Sequence, residues 1–351
     1  MSQEGFSSFI EASAKDRLEL FLATANRLGT TVGNVEKDFW VCWTLDALYH
    51  RLPAGQPRML FKGGTSLSKA YGLISRFSED IDITVFRDDL GESATIEELE
   101  ALSGNKRRAK LDAIRDACRA YITGLLQDAL AALVAEATSG AGRVEVDAAD
   151  PDGQTLLVWY PEVEPQDGAY VQPAVRIESG AKSALDPHQS ASVAPYVADD
   201  LPDLDVTVPD ITTIEARRTF WDKVVILHGM RRWFENRGDL KGGGHRISRH
   251  YYDLHQLMRS SVGTEAVMDR ALGSDCVEHA RMFFNRPPFD LESACAPTFA
   301  LAPKDAKMIE ALSRDYDAMG GMIFGEAPTF DAILESVERV EQTINREGAG
   351  N

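Results

Sequence analysis

Basic charge, cysteine and long apolar runs are all scarce in this chain. Its 351 residues carry 37 Lys and Arg against 55 Asp and Glu, a formal net charge of −18. Such an acidic balance excludes a protein that coats nucleic acid through a generally basic surface. The four cysteines, Cys42, Cys118, Cys276 and Cys295, are scattered and form no C-x-x-C pair. That argues against a disulfide framework or a zinc site. No stretch approaches the roughly 18 consecutive apolar residues of a membrane span. The opening MSQEGFSSFIEAS lacks the basic start and apolar core of a signal peptide. These absences predict a cytoplasmic protein with no membrane partner. What is present suits a folded chain: 44% apolar and 26% charged residues exclude wholesale disorder.

Periodicity predicts the order of elements. The first fifty residues read as two helices. One carries the stripe Phe9, Leu18, Phe21, Ala25, Leu28 and stops at Gly29; the other runs from Val35 to about Leu52, where Pro53, Gly55 and Pro57 break it. A short apolar strand, Met59-Leu60-Phe61, leads into Gly63-Gly64 and a helix over 66–74. The next strand alternates, with Asp80, Asp82 and Thr84 on one face and Ile81, Ile83 and Val85 on the other. Residues 94–137 read as helix, with a capping box at Thr95 and Glu98 and a stripe of Ile114, Cys118, Ile122, Leu126, Leu130 and Leu133. Strand-like runs follow at 143–146, 156–160, 175–177 and 206–208, separated by turns such as Asp152-Gly153 and Asp167-Gly168. Beyond Ile214 the chain reads helical, apart from the Gly242-Gly243-Gly244 loop and the Pro287-Pro288 break. The expected class is α+β: a mixed sheet with an inserted helix (94–137) inside a domain spanning 1–210, then a helical domain over 211–351.

Chemistry concentrates in two linked stretches. In Phe61-Lys62-Gly63-Gly64-Thr65-Ser66-Leu67-Ser68-Lys69 a strand ends in Gly-Gly-Thr-Ser at a helix start. Glycines let the backbone approach a ligand, and the first-turn N–H groups favour phosphate. In Arg76-Phe77-Ser78-Glu79-Asp80-Ile81-Asp82 the carboxylates Asp80 and Asp82 lie two apart on a strand and therefore share a face. Side by side they repel, and a divalent cation between them relieves the repulsion; hard oxygen ligands suit Mg²⁺, which also bridges nucleotide phosphates. A phosphate cradle joined to a metal-binding D-x-D is what nucleotidyl transfer requires.

The joined segment G-G-T-S-L-S-K-A-Y…R-F-S-E-D-I-D-I resembles the signature of the AbiEii/MenT-type nucleotidyltransferases, toxins of type IV-like toxin–antitoxin and defence systems with a polymerase β-like catalytic fold. The resemblance is clearest over 34–85 and weaker over 205–260. It implies two Mg²⁺ ions held by Asp80 and Asp82, with Glu178 at the end of Ala174-Val175-Arg176-Ile177-Glu178 as a candidate third carboxylate. It implies an NTP donor bound by Gly63, Gly64, Thr65, Ser66, Lys69 and Arg76. Two helical motifs extend it. In Thr219-Phe220-Trp221-Asp222-Lys223, Lys223 would meet the triphosphate or the leaving pyrophosphate. Arg249-His250-Tyr251-Tyr252-Asp253-Leu254 is similar to the family's R-D-x-Y-D-L helix, with Asp253 as a candidate catalytic acid and His250 where an aspartate is often found. Arg249 and Asp253, at i and i+4, also suit a simple helix ion pair.

The resemblance further implies an acceptor, a tRNA 3′ end or other RNA, and a cognate antitoxin. Nine basic residues against three acidic ones over 217–249 make a local basic strip, interleaved and flanked by aromatics. Arg231, Arg232, Arg249 and Tyr251 are its candidate RNA contacts. Transfer to a protein or small molecule remains an alternative, as does a non-catalytic nucleotide-binding partner.

Overall fold

The computed structural model describes residues 2–164 and 172–346; the expected Asp167-Gly168 turn lies outside them. The chain forms two compact units. The first holds Met1–Tyr71, Phe77–Ala94 and Ser103–Ile214; the second holds Gly72–Arg76, Thr95–Leu102 and Glu215–Asn351. The sequence predicts one boundary at 210/211, with all of 94–137 in the first domain. Here the main division falls at Ile214 and two short upstream segments join the second unit.

The first unit is built on a seven-stranded mixed sheet, consisting of β1 (Met59–Lys62), β2 (Asp80–Val85), β3 (Arg143–Val146), β4 (Thr155–Trp159), β5 (Ala174–Gly180), β6 (His188–Val193) and β7 (Val208–Ile214). Their order is β3-β4-β5-β2-β1-β7-β6. β2 runs antiparallel to β1 and parallel to β5, which places the D-x-D strand at the centre. On β2, Ile81, Ile83 and Val85 are fully buried as predicted, while on the other face Asp80 and Thr84 are buried too and Asp82 is partly open. In register the three apolar residues join Val175 and Ile177 on β5 and Leu156 and Val158 on β4, all fully buried too. This continuous apolar face fixes the register, since a one-residue slip would bring Asp80 and Asp82 into the core.

Strand β6 was not anticipated. Its residues His188-Gln189-Ser190-Ala191-Ser192-Val193 are mostly exposed, so no apolar alternation marks it; backbone pairing with β7 makes it an edge strand. Of the run expected at 206–208 only Val208 is strand, as the first residue of β7, which continues to Ile214.

The N-terminal region contains three helices rather than two: α1 (Ser2–Glu11), α2 (Ala14–Leu28) and α3 (Val32–Asp46). The extra break occurs at Ser13, whose side chain accepts from Asp16 N and caps α2. Gly29 ends α2 in the left-handed conformation (φ 65°), as its position predicts. A wider π turn over Ala47–Arg51 extends α3 almost to Leu52. Helix α4 (Gly63–Lys69) starts at the glycines themselves and is shorter than the expected 66–74. Next comes α5 (Ile96–Glu100) in the second unit, with both halves of the Thr95/Glu98 capping box formed.

Helices α6 (Gly104–Tyr121) and α7 (Gln127–Ala137) are joined by a π turn, Ile122–Leu126. The buried stripe is Ile114, Cys118, Ile122, Leu126, Leu130 and Val134, with Val134 in place of the expected Leu133. A strict four-residue spacing drifts by about 40° per step on an α-helix; the wider π turn offsets part of that drift and holds the stripe on one face. Continuous over Gly104–Ala137, this helix passes for a membrane span by length and composition, with 28% of its most apolar window buried. Its apolar residues are interrupted by polar ones, so it is not a run of consecutive apolar residues. One such helix is weak evidence of a membrane, and α7 packs on β3.

The second unit continues with α8 (Ala216–Arg237), α9 (Ser248–Met258), α10 (Ser261–Ala266), α11 (Arg270–Phe283), α12 (Ala306–Ala318) and α13 (Phe330–Arg346). Its interior is organised on α8 and α9, which bury Phe220, Trp221, Leu227, Tyr251, Tyr252, Leu254 and Leu257. The predicted glycine loop is a tight turn with Gly242, Gly243 and Gly244 all at positive φ.

Candidate active site

On the face of the sheet opposite the apolar one, charge gathers around the centre of β2. Register pairs Asp80 with Arg176 and Asp82 with Glu178 across β2 and β5, and Asp82 with Lys62 across β2 and β1. Paired residues share a face, so three carboxylates and two cations form one polar field. Lys62 Nζ lies 3.9 Å from Asp82 Oδ1. Arg176 Nε lies 3.1 Å from Glu178 Oε1, and its Nη1 lies 3.2 Å from Asp147 Oδ2. Asp82, Arg176 and Glu178 are partly open to solvent, whereas Asp80 is close to buried. Lys62 and Arg176 were not among the expected site residues. For Arg176 the signal was its two-residue offset from Glu178; Lys62 joins through the pairing of β1 with β2.

The glycine pair has a geometric reason. Gly63 has φ +80°, and a Cβ there would lie 1.9 Å from Asp82 Oδ2. The chain turns from β1 into α4 directly against the carboxylate, which only glycine permits. Thr65 and Ser66, expected to face phosphate, are buried and engaged within the turn. The Thr65 hydroxyl contacts the Ser78 hydroxyl at 2.8 Å and the Asp80 carbonyl oxygen, and the Ser66 hydroxyl donates to Gly63 O at 2.9 Å. The Thr65 contacts tie α4 to the start of β2 beside Asp80, while the Ser66 bond closes the first turn of α4. Lys69 does not join the expected cradle. Its buried ammonium pairs with Asp38, donates to Ala194 O at 3.1 Å and lies 3.3 Å from the Tyr196 ring centroid. Burial alone would lower its pKa, but Asp38 raises it above the ordinary lysine value.

Three further candidates meet inside the helical unit, away from solvent. Arg76 donates to both Asp253 oxygens, Nε to Oδ1 at 2.7 Å and Nη2 to Oδ2 at 2.9 Å, while Lys223 Nζ donates to Oδ2 at 2.7 Å. Exposure is 3% for Arg76, 5% for Lys223 and zero for Asp253. Burial would raise the Asp253 carboxyl, but the two cations outweigh it and hold it well below the usual carboxylate range. Burial lowers Lys223, with Asp253 offsetting only part of the effect. Arg76 and Lys223, expected at the nucleotide, and Asp253, expected as a catalytic acid, thus form one buried ion cluster. Asp253 takes Arg76 and Lys223 as partners, not the i−4 residue Arg249. Burial, with Lys223 and Arg249 nearby, keeps His250 well below the ordinary histidine value, hence neutral.

The expected RNA strip is largely inward-facing. Tyr251 and Tyr252 are fully buried and Phe234 nearly so, because the α8–α9 packing that closes the helical core uses them. Tyr251 thus offers no stacking surface. Arg231 is tied to Glu235, Glu341 and the Ala302 carbonyl oxygen, and Arg232 to Glu235. Arg249 is half-buried.

A hard divalent cation suits the donor set on the sheet face. Asp80 and Asp82 offer carboxylate oxygens two residues apart on one face, and Glu178 lies opposite Asp82. Among the described residues no three Asp, Glu, His or Cys side chains converge into a metal cluster; Glu178 is turned to Arg176 instead.

A central strand bearing paired carboxylates, backed by a glycine turn, defines the class as a nucleotidyltransferase. The family described as "Nucleotidyl transferase AbiEii toxin, Type IV TA system" matches residues 46–336. The chain belongs to that family of toxins, which implies an NTP donor and a cognate antitoxin. Among solved structures it is similar to MenT4, a nucleotidyltransferase toxin from Mycobacterium tuberculosis H37Rv, at 13% identity and a TM-score of 0.43; the match covers 95% of this chain and 99% of that one. No curated protein sequence matches it.

Proposed function

We propose that this nucleotidyltransferase toxin moves a nucleoside monophosphate from an NTP to a tRNA 3′ end and so blocks translation. Asp80 and Asp82 hold Mg²⁺ in this reading, with Glu178 as the third ligand of a two-ion site. The observation that carries it is the register of β2 and β5, which places all three carboxylates on one face of the sheet. Bound Mg²⁺ supplies Lewis-acid stabilisation of charge on the α-phosphate and activation of the attacking hydroxyl. Gly63 and Gly64 let the chain approach the donor closely, and the Thr65 bond to the Asp80 carbonyl oxygen keeps the first carboxylate aimed. Lys62 offsets part of the negative charge on Asp82.

The acceptor admits a second reading. Burial of Tyr251 and Tyr252 and the internal pairing of Arg231 remove most of the surface expected for an RNA end. This favours a protein side chain or a small molecule as acceptor. The test is label transfer: purified protein, Mg²⁺, total tRNA and each α-labelled NTP in turn, beside Asp80→Ala. Label in tRNA with one NTP, lost in the variant, supports the first reading. Asp80-dependent label on a protein or small molecule selects the second. NTP binding without any transfer would overturn both.

A further inference from the structure

Resting on the metal reading above, we propose that Arg176 is a positioning residue that holds Glu178 apart from Asp80 and Asp82, and that Glu178 exchanges this guanidinium for the divalent cation when one binds. Arg176 and Glu178 are two apart on β5 and share the face that bears Asp80 and Asp82. The guanidinium has two carboxylate partners of unequal character. Asp147 is 10% exposed, and its Oδ1 accepts Ala149 N at 2.9 Å, so it is anchored in its own turn. Glu178 is 39% exposed and stands directly opposite Asp82. Arg176 Nε approaches Glu178 Oε1 to 3.1 Å, yet this buried N–H is not aligned to donate a hydrogen bond to any acceptor. The contact is therefore a charge attraction without the directional bond that would make it hard to replace.

The arrangement answers a physical problem. Three carboxylates on neighbouring positions of one sheet face repel when no cation is present. Arg176 relieves that repulsion from the Glu178 side and Lys62 from the Asp82 side. A divalent cation exerts a stronger attraction on carboxylate oxygens than a delocalised guanidinium does. The glutamate side chain has enough rotatable bonds to turn from β5 towards β2, and Asp147 remains as a carboxylate partner of Arg176. Arg176 thereby sets the threshold at which the third carboxylate engages, and it acts through Glu178 without touching substrate.

Mn²⁺ binding to the full chain, measured from the free-ion electron paramagnetic resonance signal, tests this without requiring turnover. Arg176→Gln is expected to bind Mn²⁺ about tenfold more tightly than the wild type, the scale on which partners of metal ligands act. Arg176→Lys should stay close to the wild type. In a Glu178→Gln background the gain from Arg176→Gln should vanish. An unchanged affinity in Arg176→Gln overturns the inference. So does a full gain in the Glu178→Gln background, which would mean a general field effect. Asp80→Asn with Asp82→Asn separates this failure from failure of the underlying reading: if Mn²⁺ binding survives that pair, the metal reading itself falls. Matching melting curves confirm that the variants fold.

Discussion

The sheet face around Asp80 and Asp82 and the buried cluster around Asp253 are both built from residues of a nucleotidyltransferase signature, yet their physics is opposite. On the sheet, three carboxylates outnumber two cations and several of the groups stay partly open to solvent. In the helical unit, a fully buried carboxylate is saturated by two buried cations. The first arrangement gathers carboxylates on a partly open sheet face, which suits the proposed cation site. The second has spent its charge on internal bonds, which hold helix α9 to α8 and to the segment carrying Arg76. The difference teaches that a motif identifies residues that matter, while burial and pairing decide whether they matter to chemistry or to the fold. A second buried carboxyl sharpens the point. Glu36, 3% exposed in the sheet unit, accepts from Val163 N at 2.9 Å, and burial pushes its pKa up to about 7. Asp253, with two cations, is driven the other way.

Four measurements would break or sharpen this contrast. The largest effect is expected on the sheet: Asp82→Asn should lower nucleotidyl transfer by about 10²–10³-fold while leaving the melting temperature nearly unchanged. A coupled loss of stability would remove the distinction between the two regions. Next, Asp253→Asn leaves Arg76 and Lys223 buried without their counter-charge, and should cost about 3–5 kcal/mol in denaturant unfolding. A stable, inactive Asp253→Asn protein would instead return Asp253 to catalysis. Because its folded pKa is depressed, the contribution of Asp253 is present at neutral pH and is lost as pH falls below the ordinary aspartate range.

Glu36 carries the opposite sign. Its folded pKa of about 7 exceeds the unfolded value, so the unfolded chain releases the proton first and stability falls between the ordinary glutamate value and pH 7. Glu36→Gln should therefore be more stable than the wild type at pH 8 by about 3 kcal/mol, with the gain fading towards pH 4.5. Equal stability of the two proteins at pH 8 would show that Glu36 is not desolvated. Gly63→Ala should lose about 1–3 kcal/mol of stability, from the positive φ and the clash with Asp82. Transfer should drop more than that loss explains, because the displaced group is a carboxylate of the proposed metal site. Wild-type transfer by this variant would free Asp82 from the proposed site.

Several elements were legible because a single period or cap encodes them. The alternation of β2, the Thr95/Glu98 box, the Gly29 stop and most of the 114–134 stripe follow from local spacing. Strand β6 was not legible, since an exposed edge strand of His, Gln and Ser has no apolar rhythm to reveal it. Of the site, Gly63, Asp80 and Asp82 were visible from contiguous sequence. Lys62 and Arg176 were hidden, because their relation to Asp82 and Asp80 passes through strand pairing over as many as about a hundred residues of chain.

By itself, the sequence determined the class of the protein and its central carboxylates, since charge balance, glycine placement and a two-residue strand period act over a few neighbouring residues. Only the tertiary structure decided which signature residues remain available. Whether Lys69, Lys223 or Asp253 meets a ligand depends on partners brought from Asp38 or Arg76, far along the chain. Spacing within a segment does not encode those partners, because desolvation and pairing are properties of the assembled interior.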